Sequence, residues 1–410
     1  MSLDVLSAGS DRAARVRDAV ARQPGWALAL GIYAITRVID FVIIAQAAKG
    51  QVPNMWTSPH PGYFDLGVQW DGSWYRQIAD HGYPSVLPRD ANGNLLQNAW
   101  GFSPAYPYLV RVVMGLTGLS FPVAGSMTSL VLGGAAMVVI YQLFIRYVDR
   151  RAALGGIALV AMLPASPALQ ICYTESLALF VLASALLLLV QRRYALAVPV
   201  VILLSLSRPV ELPFSVAVAM HLFVRWRRRA VDPFPREEAV SVVGLGVVAL
   251  ASAWLWPAIA WHATGVRSAY TDTMGTWRTG GHVTYFRAWW FIATYLVHNH
   301  VYAGLALAGL AVVVLGAALG PWARPIGAEM RAWCVAYPLY LAAILEPWTS
   351  VFRYVLLFFP LGMLALHTRR PRLSVLRRLV FVALLAVFLV GQIVWVYWLL
   401  KFVPPTDYPP

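Results

Sequence analysis

The chain reads as an all-α polytopic membrane protein with about 11 transmembrane helices, a class selected by three observations. Sixty per cent of its 410 residues are hydrophobic and only 12% are charged, about half the charge density of a soluble domain. The apolar residues lie in long unbroken runs, not in alternation, which excludes a transmembrane β-barrel. Basic residues cluster at the ends of those runs. A crossing takes roughly 20 apolar residues, so the composition can build ten to twelve.

A basic segment, 1–25, with Arg12, Arg15, Arg17 and Arg22 precedes the first run and is expected to be a cytoplasmic tail. No cleavable signal peptide is expected, since the first apolar run begins near Trp26 with no small-residue cleavage site behind it. The body of the chain, 26–400, reads as one membrane-embedded domain. Its first span is Trp26–Ala48, followed by a long polar and aromatic loop within 49–121, rich in Pro, Gly, Asn and Trp. Inside that loop Pro104–Leu119 is apolar but short, which predicts an interfacial or re-entrant helix.

The later spans are expected at Pro122–Ile145, Ala152–Pro164, Glu175–Val190, Tyr194–Ser207, Leu212–Val224 and Val240–Trp261, then Asn299–Leu319, Trp333–Leu345, Phe352–His367 and Leu379–Leu400. A second polar loop, 262–298, with an in-plane helix separates the seventh and eighth, and 401–410 forms an outer tail. Assigning alternate connections to one side collects 21 of the 32 basic residues there, which the positive-inside rule makes cytoplasmic. The N-terminus is then inside a cell membrane and the C-terminus outside. The net charge of +14 is thereby explained by topology, without nucleic acid. Two cysteines, Cys172 and Cys334, make neither a disulfide framework nor a zinc site.

Both polar loops fall on the outer face, as do the turns Tyr173–Glu175, Arg208–Glu211 and Glu346–Arg353. Neither ATP nor nucleotide sugars are available there, so a group transfer would need an activated donor carried by the membrane.

The most informative stretch is WDGSWYRQIADHGYP, residues 70–84. Trp74, Tyr75 and Ile78 share one helical face after Asp71, and Gly82-Tyr83-Pro84 ends the helix, which predicts a short amphipathic helix on the membrane surface. Asp71 reads either as that helix's N-cap, worth about 1 kcal/mol, or as a general base at the water–lipid boundary. Arg37 and Asp40, at i and i+3 inside the first span, read as a mutual ion pair, with a contact to a donor phosphate as the alternative. His298 and His300 point to opposite sides of a helix, and Asp65 and Asp71 are no evident metal pair. A metal-independent protein without a cofactor is expected. The loop Arg267–Arg287, with Asp272, Arg278 and His282, suits a lid or acceptor-recognition element.

The stretch from Trp70 to Pro84 resembles the Trp-Asp motif in the first outer loop of the PIG-V mannosyltransferases (GPI mannosyltransferase 2-like), which belong to the GT-C glycosyltransferase superfamily. Further segments are similar in family order. They are Phe102-Ser103-Pro104-Ala105-Tyr106-Pro107, where Ser103 replaces a Phe, then Pro164-Ala165-Ser166-Pro167 with Tyr173-Thr174-Glu175-Ser176. Ser207-Arg208 follows, with Pro209-Val210 departing from the usual residues, and finally Arg353-Tyr354 through Pro360.

The resemblance, spanning about Thr36 to Pro360, implies a GT-C-like fold and a membrane-bound hexosyltransferase. It implies inverting transfer of mannose from a polyprenyl-phosphate donor to a lipid or glycan acceptor, with Asp71 as the base. Such a mechanism needs cations on the leaving phosphate, for which Arg208 and Arg353 are the candidates. Each also reads as a snorkelling anchor or as a partner for Glu211 or Glu346. Tyr173, Glu175 and Glu211 are expected to orient the sugar, and Trp70, Trp74, Tyr75, His81 and Arg278 to bind substrate. The rival readings are a lipid or sugar transporter or flippase, against which stands the lack of an internal repeat, a non-catalytic membrane scaffold, and a transferase of another sugar. The arginine-heavy composition, with only two lysines, suggests a bacterial source.

Overall fold

The computed structural model describes residues 22–278, 280–367, 374–405 and 408–410. The basic segment preceding Arg22, together with Arg369, Arg370 and Arg372, lies outside the described residues. The described chain is all-helical apart from an isolated bridge between Arg89 and Leu95.

The helices, in order, are α1 (Gly25–Lys49), α2 (Tyr63–Leu66), α3 (Asp71–His81), α4 (Ala105–Thr117), α5 (Phe121–Phe144), α6 (Arg150–Met162), α7 (Glu175–Val190), α8 (Tyr194–Ser207) and α9 (Glu211–Arg228). Then come α10 (Arg236–Ser252), α11 (Leu255–Thr264), α12 (Ala269–Gly275), α13 (Arg287–Val297), α14 (His300–Leu319), α15 (Ala328–Ile344), α16 (Val351–Tyr354) and α17 (Val375–Trp395). Helices α1, α5 and α14 are long and apolar enough to cross a membrane, as is α17 taken through the π turn that ends at Leu400. A fifth arises if α10 and α11, bent by 40° at their break, form one span. Helix length and composition thus support four or five crossings, against the 11 expected from the sequence.

Several predicted spans prove to be short or broken. The run Val240–Trp261 is divided between α10 and α11. Phe352–His367 becomes the single turn of α16 followed by a 3-10 stretch, Val355–Leu364, with Pro360 inside it. The short helix expected at Pro104–Leu119, interfacial or re-entrant, is α4, which closes at Gly118 in the left-handed conformation.

Helices α5 and α7 form the centre. Apolar on all sides, α7 buries residues all round, as a fully enclosed helix must. Small residues let α1 approach α5: a Cβ at Gly133 would lie 2.1 Å from the Tyr33 hydroxyl, which donates to the carbonyls of Leu130 and Leu169. Conversely α14 and the last span are mostly exposed along their apolar length, a surface that suits lipid.

Deep in the bundle, Arg37 and Asp40 pair at 2.8 Å. Arg37 also donates to the carbonyls of Ser166 (2.6 Å) and Ala161 (2.7 Å), while Gln392 of α17 donates to the Ser166 hydroxyl. Arg37 therefore fastens α1 to α6 and to the 3-10 turn Ser166–Gln170, to which Gln392 ties α17, and Arg37 has no part in lining the cavity beside Asp71. At one end of the bundle, charged residues bind one another. Arg192 pairs with Asp232, Arg225 bonds both Asp232 and Glu238, and Tyr194 and His221 link to Glu329. The Arg192 guanidinium holds the Asp232 carboxyl below the usual carboxylate range.

Arg37→Leu leaves Asp40 as an uncompensated buried charge and should cost about 3–5 kcal/mol. Arg37→Met/Asp40→Leu should recover most of that. Thermal unfolding of the detergent-solubilised variants distinguishes the two outcomes.

Candidate active site

At the end of the bundle opposite the Arg192 cluster, four separated parts of the chain converge on two arginines. The first is the Trp-Asp turn. Trp70 precedes α3 with φ 59°, a left-handed backbone that a bulky residue adopts at a cost of about 1–3 kcal/mol. Tertiary contacts hold it there. The indole Nε1 donates to the carbonyl of Leu400 at 3.0 Å, and the ring packs against Trp56 and Phe402. Asp71 is consequently the first residue of α3, not its N-cap, and its carboxylate turns away to Arg353.

Gly72 is required by a close approach. A Cβ there would stand 3.1 Å from the carbonyl oxygen of Gly67 and 3.4 Å from that of Cys172. The second part is sewn to this turn: Cys172 N–H donates to Gly67 O, and the Tyr173 hydroxyl donates to Gln69 O, both at 3.1 Å. That fixes where α7 begins, and so where its first residue, Glu175, sits.

Glu175 is 1% exposed. Its Oε1 accepts from Arg208 Nη1 at 3.0 Å and from Arg353 Nη1 at 2.8 Å, whereas Oε2 has no hydrogen-bond partner among the described residues. Arg208 follows the last turn of α8 in an extended conformation, its guanidinium 4.2 Å from the ring centre of Tyr354. Arg353, within α16, places Nη2 2.7 Å from Asp71 Oδ2 and lies over the Tyr173 ring at 5.0 Å. Its Nε donates to the main-chain oxygen of Pro410 at 2.6 Å. Two guanidinium and two carboxylate groups thus form an unbroken run of ion pairs, Asp71–Arg353–Glu175–Arg208.

Asp71, 24% exposed, opens onto a cavity of about 560 Å³. Phe102, Trp277, Arg278, Glu346, Trp348, Arg353 and Tyr354 also line it. Trp74 stacks on Phe102 at 5.6 Å with Trp277 edge-on to both, which gives the cavity an aromatic wall. The two polar loops meet where Asn98 donates to Thr273, and Trp256 of α11 donates to the carbonyl of Trp100 in the first loop. Burial raises the Tyr75 hydroxyl well above its usual range. Tyr75 backs the wall, edge-on to Phe102 and Tyr106.

Of the residues expected from sequence, Asp71, Tyr173, Glu175, Arg208 and Arg353 are brought together, Arg278 lines the cavity, and Trp74 and Tyr75 support its wall. Trp70 shapes the turn instead of lining the space. Exposed at the last turn of α3, His81 is ten residues, roughly 15 Å, along the helix from Asp71. Glu211 is buried at the start of α9, with one carboxylate oxygen unpartnered. It does not line the cavity, and Arg208 pairs with Glu175 in its place. In the second loop, Asp272 accepts from Ser268 and His282 bonds the carbonyl of Gly280, both local contacts. Among the described residues no three His, Cys, Asp or Glu side chains gather as a metal site. Sequence reasoning missed Tyr354, Trp277, Trp348, Thr349 and the segment Tyr408–Pro410. Tyr354 adjoins a flagged arginine, and Trp348 and Thr349 lie in a flagged turn, but nothing in the sequence marks Tyr408–Pro410.

No family model matches the chain, and no curated protein matches it. Among solved structures it is similar to the archaeal oligosaccharyltransferase AglB from Archaeoglobus fulgidus in complex with an inhibitory peptide and a dolichol-phosphate, with a TM-score of 0.51 and 13% identity. That alignment covers 90% of this chain and 56% of the other. The Archaeoglobus fulgidus oligosaccharyltransferase tethered with an acceptor peptide aligns with a TM-score of 0.48 and 14% identity, over 90% and 55% of the two chains. The chain spans little more than half the length of these structures, and the likeness is one of fold.

Glu175→Ala would leave Arg208 and Arg353 buried around a missing carboxylate, with an expected loss of about 3–5 kcal/mol. Glu175→Gln, which keeps an acceptor oxygen, should lose less. Thermal unfolding in detergent ranks them.

Proposed function

We propose that this chain is a membrane glycosyltransferase of the PIG-V type. It moves a mannosyl residue from a polyprenyl-phosphate-mannose donor to a lipid or glycan acceptor on the extracytoplasmic face, with inversion and with Asp71 as general base. The observation that carries the reading is the Asp71–Arg353–Glu175–Arg208 array beside a cavity with an aromatic wall. A base and two guanidinium groups within one site are what glycosyl transfer from a phosphate leaving group requires. The fold likeness to an oligosaccharyltransferase supports the same class.

In this mechanism the acceptor hydroxyl enters the cavity at Asp71. As its oxygen attacks the anomeric carbon, the hydroxyl proton passes to the Asp71 carboxylate. The bond from the anomeric carbon to the phosphate oxygen breaks, and its electron pair leaves with the polyprenyl phosphate. Negative charge grows on that phosphate in the transition state, and fixed guanidinium donors stabilise it most where water is scarce. Arg353 touches both the base and Glu175, so it couples the two ends of the reaction. Glu175, held by both arginines, keeps their separation and orientation fixed before substrate arrives. The aromatic faces of Trp277 and Phe102 suit the apolar side of a sugar ring.

The sidedness rests on charge. The Arg192–Asp232–Arg225 cluster lies at the end of the bundle away from Asp71, in keeping with a cytoplasmic arginine-rich face and an outward site.

Asp71→Asn removes the base and keeps the shape. Transfer from polyprenyl-phosphate-mannose by reconstituted protein should fall about 10²–10⁴-fold, with unfolding temperature little changed. Full retained activity in a folded Asp71→Asn protein would defeat the reading. Arg208→Lys keeps the charge and loses the planar fork. It should lower transfer on the order of 10²-fold, more than it lowers stability.

A further inference from the structure

Of the two arginines in the Asp71–Arg353–Glu175–Arg208 run, only Arg353 lines the cavity. Both of its terminal nitrogens are taken, Nη1 by Glu175 and Nη2 by Asp71. Arg278 is the second cation on the same cavity. Among the described residues it forms no ion pair, and its Nε is enclosed without a hydrogen-bond partner. A charged donor left unsatisfied where water is scarce is costly. Glu346, the other carboxylate lining the cavity, has a contact of its own.

The backbone beneath Arg278 is held on both sides. Its N–H donates to the carbonyl of Gly275 at 2.9 Å, and its carbonyl accepts from the Gly281 N–H at 3.0 Å. Gly280 and Gly281 take φ of 86° and 77°, a left-handed backbone that glycine adopts without a Cβ clash. The preceding residue, Trp277, is wedged edge-on against Trp74 and Phe102. Its indole nitrogen abuts Gly101, where a Cβ would stand 3.0 Å away. Helix α12, which leads into this turn, is tied to the first loop by the bond from Asn98 to Thr273. A long cationic side chain is thus carried on a fixed base next to the aromatic wall.

Charge explains what such a cation is for. Asp71 and Arg353 cancel, as do Glu175 and Arg208. A polyprenyl-phosphate sugar is a phosphate diester and brings one negative charge, which Arg278 balances. During transfer the acceptor proton neutralises Asp71, while the broken bond raises the charge on the polyprenyl phosphate toward two. Arg353, its counter-charge on Asp71 gone, then answers the new charge. Within this set the sum stays at zero before and after transfer only when Arg278 is counted. A water-poor cavity penalises an imbalance far more than bulk solvent does.

We propose that Arg278 is the docking cation for the donor's phosphate diester. It holds the phosphate in the ground state, while Arg353 and Arg208 answer the charge that develops as the bond breaks. The inference rests on the reading of this chain as a transferase that uses a polyprenyl-phosphate sugar, and it divides the arginines by stage. Arg278 strengthens the bound donor and the transition state alike, which lowers KM, whereas contacts that strengthen only in the transition state raise kcat. A guanidinium suits the task because its planar fork takes two phosphoryl oxygens at once.

The test pairs steady-state transfer with binding, on the full-length chain in lipid nanodiscs. Arg278→Gln should raise the KM for polyprenyl-phosphate-mannose about tenfold or more, with kcat and the acceptor's KM nearly unchanged. It should weaken binding of dolichyl phosphate, offered without a sugar, by a similar factor. Arg278→Lys should recover part of both losses. Arg278→Met, which keeps the packing of the stem, gives the same reading if the Gln variant does not fold. An unchanged donor KM in a folded variant overturns the inference, and so does an effect confined to kcat or to the acceptor's KM. The parent reading is checked on the unsubstituted chain by comparing dolichyl phosphate with dolichol, which lacks the phosphate. If dolichyl phosphate is preferred and Arg278→Gln keeps the full preference, only the role of Arg278 is wrong. If the unsubstituted chain shows no preference, the polyprenyl-phosphate reading fails, and the role of Arg278 with it.

Discussion

Glu175 holds two guanidinium groups with one carboxylate oxygen, in a part of the protein from which water is nearly excluded. A buried carboxylate without cations would be driven to its neutral form, and buried arginines without carboxylates would be driven to the surface. The three groups therefore have to be assembled together. They come from residues 175, 208 and 353, at the starts or ends of helices far apart in the chain. Satisfying this cluster dictates how α7, α8 and α16 meet, and it brings Asp71 to within 2.7 Å of Arg353.

Apolar packing alone would not give that precision. Lipid-facing and core helices of leucine, valine and alanine slide against one another at small cost, because dispersion is not directional. Register comes from polar fasteners. Arg37 seizes the carbonyls of Ala161 in α6 and of Ser166 in the turn beyond it, the Tyr173 hydroxyl and Cys172 N–H tie α7 to the Trp-Asp turn, and Trp70 reaches the end of the last span. Each bond is worth more in a water-poor interior than it would be in solution, and each would be expensive to leave unmade. The strained backbone of Trp70 is tolerable within such a frame.

Much of this was legible beforehand. The runs of apolar residues and the arginine clusters at their ends identify a polytopic membrane protein, because a bilayer demands such runs and cationic ends distribute by side. Asp71, Tyr173, Glu175, Arg208 and Arg353 stood out because they fall in segments that resemble a known family's motifs, at the outer ends of apolar runs where charge is costly without a task. Helix lengths were harder to read. Pro164 and Pro360 sit within apolar runs, and composition does not say whether such a run continues straight, bends at a break as α10 and α11 do, or tightens into a 3-10 turn. His81 and Glu211 illustrate the limit for sites. Both lie beside motifs, yet one faces solvent at the far end of α3 and the other is buried outside the cavity.

By itself, then, the sequence determined the solvent of this protein, its all-helical class and the short roster of ionisable groups that chemistry could use. Those follow from composition and from local spacing. The tertiary structure decided who pairs with whom: that Arg208 takes Glu175 and not Glu211, that Asp71 faces Arg353 instead of capping its own helix, and that Trp70 bonds the carbonyl of Leu400. Such pairings join residues up to hundreds of positions apart. They are settled by which arrangement leaves the fewest buried charges and hydrogen-bonding groups unsatisfied, a condition met by the whole bundle and written in no single segment.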